Sequence, residues 1–92
     1  MTEVVSNLSS KFKKGIEDKK IIFGSKSVLK ALKLGRVDEL IYSSNAPKQL
    51  IDDLKHYSNN NLEIKIFKGD AKELGIACGR THSVLVAALL KD

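Results

Sequence analysis

The chain has 92 residues, 42% of them apolar and 29% charged, which suffices for one compact domain (1–92) and leaves no room for a second. The longest apolar stretch, 84–90, falls far short of the roughly 20 residues a membrane helix needs, and the opening residues have neither the basic start nor the apolar run of a signal peptide. A single Cys78 excludes an internal disulfide and has no second thiol nearby for zinc, so a reducing, cytoplasmic setting and no metal are expected.

Taken in chain order, Val5, Leu8, Phe12 and Ile16 recur at spacings of three, four and four, the apolar stripe of an amphipathic first helix that Gly15 interrupts. Ile21-Ile22-Phe23 reads as a short buried strand ending at Gly24. Ser25 to Leu34 then repeats apolar residues at helical spacing, with serine starting the helix and Gly35 stopping it. Lys26, Lys30 and Lys33 share one flank of that helix. Leu40-Ile41-Tyr42 is a second strand, followed by the turn Ser43-Ser44-Asn45-Ala46-Pro47, whose proline suits the first turn of a third helix marked by Leu50, Ile51, Leu54 and Tyr57. The polar run 58–61 ends it.

Leu62, Ile64 and Ile66 alternate with Glu63 and Lys65, the period of a half-buried strand. Asp70-Ala71-Lys72-Glu73 is an aspartate variant of the capping box and opens a short helix that closes near Gly79. The apolar run 84–90 predicts a central strand covered on both faces. The predicted order is α-β-α-β-α-β-α-β, which argues a three-layer α/β/α sandwich. Right-handed crossovers then gather the loops leaving parallel strands on one rim, where open α/β sheets take their ligands.

Sixteen Lys and Arg oppose eleven Asp and Glu, a net charge of +5, and the excess is uneven. Residues 1–36 hold nine basic side chains (Lys11, Lys13, Lys14, Lys19, Lys20, Lys26, Lys30, Lys33 and Arg36) against Glu3, Glu17 and Asp18. An asymmetric basic field suits a polyanion, because each phosphate neutralised releases condensed counterions; the same run would also serve as a solvated face.

Gly24-Ser25-Lys26-Ser27 joins a strand to a helix. Glycine allows close backbone approach, the first helical N–H groups lack partners, the helix dipole favours an anion and Lys26 adds a charge. A tight turn and an N-cap would require the same glycine and serine. The spacing does not match a P-loop or a dinucleotide fingerprint. Asn45 carries a donor and an acceptor in one amide and could read a base edge bidentately, although asparagine before a turn is also common for structural reasons. Gly79-Arg80-Thr81-His82-Ser83 offers a guanidinium, hydroxyls and an imidazole. His56 and His82 are far apart and Asp52 and Asp53 point to different helix faces, so no nucleophile–base pair, cofactor site or enzyme activity is expected.

Three of these segments together resemble a known family. Residues 22–35, Ser44-Asn45-Ala46-Pro47, and Glu73-Leu74-Gly75-Ile76-Ala77-Cys78-Gly79-Arg80 are similar to motifs of the kink-turn-binding ribosomal proteins, a family that includes L-thirty-e of the large subunit and L-seven-Ae. Ser25-Lys26 stands where the L-seven-Ae branch has Asn-Glu, which favours the L-thirty-e branch. The resemblance runs from about Lys19 to the end and implies a sandwich around a four-stranded mixed sheet, monomeric when free. It implies binding to kink-turn RNA, a sharply bent internal loop with tandem sheared G·A pairs, in ribosomal RNA or in another ribonucleoprotein (box C/D, RNase P or a regulated messenger). On that resemblance Gly24, Ser25 and Lys26 form a first RNA loop, Ser44, Asn45 and Ala46 a second, and Arg80, Thr81, His82 and Val84 a third. Lys30, Lys33 and Arg36 add phosphate contacts. A methyltransferase's small substrate-binding domain and a protein-binding adaptor are the other uses of such a fold.

Overall fold

The computed structural model describes residues 3–8, 10–57 and 62–91. Nine elements follow in chain order: β1 (Glu3–Val5), α1 (Ser10–Glu17), β2 (Ile21–Phe23), α2 (Ser25–Lys33), β3 (Val37–Ser43), α3 (Lys48–Tyr57), β4 (Glu63–Phe67), α4 (Ala71–Ala77) and β5 (Val86–Leu90). The sheet order is β1-β4-β3-β5-β2, with β1, β4 and β3 parallel and β5 antiparallel to both β3 and β2.

The expected α/β/α sandwich is present, but its sheet has five strands, not four. Val5 accounts for the difference. Its spacing to Leu8 mimics a helical stripe, yet residues 3–5 pair with Lys65–Phe67 on the otherwise open edge of β4, and α1 begins only at Ser10. The stripe still identified core residues, because Leu8, Phe12 and Ile16 pack with Val5 in one cluster whichever backbone carries them.

Strand alternation divides the interior. Leu40, Tyr42, Val86 and Ala88 face α2 and α3 through Val28, Ala31, Leu32, Leu50 and Leu54. Ile41, Ala87 and Leu89 face α1 and α4 through Phe12, Leu74 and Cys78. Central β5 is therefore covered on both sides, as its unbroken apolar run predicts. Gly15 has a packing reason: a Cβ there would strike the Leu89 side chain, so the glycine lets α1 lie directly on β5. Among the described residues no helix is long and apolar enough to cross a membrane.

Candidate nucleic-acid interface

Strands β2, β3 and β4 all end at the same rim, and β5 begins there. The Gly24 N–H donates to the Val86 carbonyl (3.2 Å), the Ser43 N–H to Leu85 (2.9 Å) and the Ser44 N–H to Gly69 (2.9 Å), so the ladder itself draws three separated segments together.

The first segment opens α2. Gly24 takes φ 93° and ψ 143° and caps the helix with no side-chain hydrogen bond; its carbonyl accepts the Val28 N–H at 3.0 Å. The serine expected to start the helix is thus its first helical residue rather than the cap. Positive φ suits glycine, and an uncapped first turn keeps the N–H groups of residues 25–27 without carbonyls one turn back. Lys26 and Ser27 are exposed beside them. An anion has both charge and donors to meet here.

The second segment is built around Asn45. Its Oδ1 accepts from the Ser43 hydroxyl (2.7 Å) and from the Ala71 N–H (3.1 Å). A backbone N–H needs an acceptor, so the atom facing Ala71 is the amide oxygen, and the residue as a whole is exposed. With both lone-pair directions of Oδ1 engaged, the NH2 is the part of this amide left to meet a ligand, and it can only donate. Ser44 fastens the same turn a second time, its hydroxyl donating to the Gly69 carbonyl at 2.8 Å. Ala46 is buried, and its N–H closes the turn on the Ser43 carbonyl at 3.1 Å.

Asn45 grips the start of α4, and α4 in turn holds the third segment. Asp70 caps this helix, accepting the Glu73 N–H at 2.9 Å as the capping-box pattern predicts. At its far end Gly79 (φ 76°) ends the helix in a Schellman motif, with the Gly79 N–H on Ile76 (2.9 Å) and the Arg80 N–H on Gly75 (2.8 Å). The chain then doubles back along the helix until the Val84 N–H reaches the Ala71 carbonyl at 2.9 Å. Gly75 is the contact surface: a Cβ there would land on the His82 carbonyl oxygen.

Between the first and third segments lies an open cleft of about 390 Å³, lined by Phe23, Gly24, Ser25, Arg80, His82, Ser83, Val84 and Leu85. The Arg80 guanidinium covers the Phe23 ring at 4.5 Å, which holds a cation at the cleft wall. Thr81 and His82 are exposed. Val84, by contrast, is buried against the α1 and α4 layer, and the apolar side chain turned outward at the rim is Leu85. Leu85 was invisible in the sequence because it sits inside a continuous apolar run and reads as strand interior.

The lysine flank of α2 does not act as one surface. Lys33 lies over the Tyr57 ring at 4.9 Å, and Lys30 lines a shallow apolar hollow with Ile22, Leu34 and Leu90. Arg36 is at the opposite end of the sheet, where its carbonyl accepts the Lys91 N–H at 2.7 Å. Helix α2 carries the chain from one rim to the other, so only Lys26 of this set stands at its N-terminus. Burial pushes the Cys78 thiol up to about 11, which makes it an inert core group. Among the described residues no group of three or more His, Cys, Asp or Glu could hold a metal ion.

Comparisons with known proteins identify the family and the fold. A profile of the ribosomal protein L7Ae/L30e/S12e/Gadd45 family matches residues 6–92. The large ribosomal subunit protein eL30 of Archaeoglobus fulgidus is 33% identical over all of this chain and 99% of its own length. That of Methanopyrus kandleri is 27% identical over 96% of the chain and 82% of its own. Among solved structures, a Giardia lamblia 15.5kD RNA binding protein superposes with a TM-score of 0.74 at 24% identity, covering 89% of this chain and 69% of that one. A Bacillus halodurans protein of unknown function gives 0.69 at 26% identity, covering 89% and 82%.

Proposed function

The chain belongs to the ribosomal protein L7Ae/L30e/S12e/Gadd45 family, and from that premise we propose that it is a large-subunit ribosomal protein whose three-loop rim binds kink-turn RNA. The reading is supported chiefly by one observation: the uncapped start of α2 with Lys26, the amide of Asn45 and the Arg80-walled cleft share one rim. A bent internal loop offers what such a rim can use, namely closely spaced phosphates, exposed base edges and unstacked bases.

The division of labour follows from chemistry. Lys26 and the first N–H groups of α2 hold phosphate, which positions the protein without reading sequence. The Asn45 NH2 donates to acceptors on a purine edge, which sheared G·A pairs expose. Leu85 and His82 offer apolar and aromatic surface to a base that has left the stack, with Arg80 alongside. Val84 contributes from beneath, by packing, and Thr81 flanks the cleft. Arg36 is not part of this interface.

Binding to a short kink-turn RNA is compared with binding to the same RNA after its G·A pairs become Watson–Crick pairs, at fixed salt. A preference of at least about tenfold for the G·A form is expected, roughly the value of one good edge contact. Equal affinity for the two would sink the kink-turn reading while leaving general RNA binding intact.

A further inference from the structure

The basic residues of the N-terminal third are not all at the rim just described. Four of them meet Lys91 at the other end of the sheet, where β5 ends and β2 and β3 begin. Leu90 donates its N–H to the Lys20 carbonyl (2.9 Å) and Lys91 to that of Arg36 (2.7 Å), which fixes Lys20, Arg36 and Lys91 around one strand end. Gly15 seats α1 against β5, bringing Lys11 and Lys14 to the same place.

A shallow cleft of about 200 Å³ beside α1 is lined by Lys11, Lys14, Asp18, Lys20, Asp38 and the β5 end, while Arg36 lines the hollow beside α2 at the same end of the sheet. All five cations are exposed, and the carboxylates among the described residues here are Asp18, Asp38 (in an ion pair with Lys11), and Glu39 and Glu63, which also act on Lys11 and pair with Lys65. Lys13 and Glu17 stand four apart on the outward flank of α1 and offset each other. Counting Lys65, six cations stand against four carboxylates, so the described residues at this end of the sheet carry a net positive charge of about two.

β3 has seven residues, so the two rims are roughly 20 Å apart, more than twice the screening length at physiological salt. One does not simply extend the field of the other. Among the described residues no aromatic side chain lines the far cleft, and its leucines are buried or half-buried, so it has ammonium groups for phosphate and little for base stacking or for a lipid surface.

We propose that this far rim is a second RNA-backbone contact, so that the protein holds two RNA segments, one at each end of its sheet. The inference rests on the RNA-binding reading above for the class of polyanion. It requires no sequence recognition at the second contact.

The test uses the full chain saturated with an unlabelled kink-turn RNA and titrated with a fluorescent RNA duplex lacking G·A pairs, at about 50 mM salt where backbone contacts are strong. The duplex should still bind, forming a ternary complex. Lys14→Gln/Lys20→Gln/Lys91→Gln should weaken duplex binding at least tenfold and leave kink-turn affinity within about twofold, because each lost phosphate contact removes about 0.9 from the logarithmic salt slope. Lys26→Gln should do the reverse. Displacement of one RNA by the other, or unchanged duplex binding in the triple variant, would overturn the second site. Should the kink-turn fail to bind, that reading alone falls, and the duplex titration on the free protein still decides this one by the same variant.

Discussion

Replacing Asn45 separates its two jobs. In Asn45→Ala the Ser43 hydroxyl and the Ala71 N–H both lose the oxygen they reach at 2.7 and 3.1 Å. Ser43 and Ala71 are buried, so each stranded donor would cost about 1–3 kcal/mol if water could not replace the oxygen. The exposed position of Asn45 admits water, and about 1–3 kcal/mol in total is expected. For a domain of this size that lowers Tm by roughly 4–24 °C. Asn45→Asp keeps the acceptor, and a carboxylate near the start of α4 is favourable, so its stability should stay within about 1 kcal/mol of the original. It has lost the NH2, however, and brings a negative charge to the RNA. Both variants should therefore lose at least about tenfold in kink-turn affinity, the scale of a base-edge contact, and only the alanine should melt early. Thermal unfolding by circular dichroism and binding by fluorescence anisotropy measure the two effects. Undiminished RNA binding by Asn45→Asp would refute the donor role, and an unchanged Tm in Asn45→Ala would refute the fastening role.

Gly75→Ala should destabilise the fold by about 1–3 kcal/mol, since its methyl group must displace the His82 backbone, and should weaken RNA binding by moving the third segment; urea unfolding and anisotropy report each. Lys26→Ala should reduce affinity for many RNAs alike and lower the logarithmic salt slope by about one, whereas Lys30→Ala, a turn further along α2, should change it less; equal slopes for the two would remove the special place given to Lys26. Cys78, held protonated by burial, should react with iodoacetamide at pH 8 only as fast as the protein opens. Its folded value lies above that of the exposed thiol, so its contribution to stability is complete below about pH 9 and is lost as pH rises toward 11. Urea unfolding at pH 8 and pH 10 should show a smaller fall in Cys78→Ala than in the unmodified chain.

The elements whose evidence lies within a few neighbouring residues were legible from the chain alone. Alternation at 62–66, the Asp70 cap and the glycine stops at Gly35 and Gly79 are short-range patterns, and the structure contains each of them. β1 was not legible, because three residues carry too little periodicity and their partner strand lies some sixty positions away. The loops that make up the candidate interface could be named from the chain, but not their geometry. Nothing local says that the Asn45 oxygen faces Ala71, that Val84 turns inward and Leu85 outward, or that Arg36 lies at the far end from Gly24.

The sequence by itself determined the α/β layering, most of the core and which loops carry polar, donor-rich side chains. Those properties follow from side-chain period and from backbone preferences, which act over a few residues. Tertiary structure decided which atom of each side chain remains available. Asn45 became a donor because Ala71, 26 residues on, claims its acceptor. The basic N-terminal third became two separate surfaces because α2 spans the sheet from rim to rim. Charge and composition are additive along a chain, but the direction a group faces is set by contacts that close only when distant segments pack.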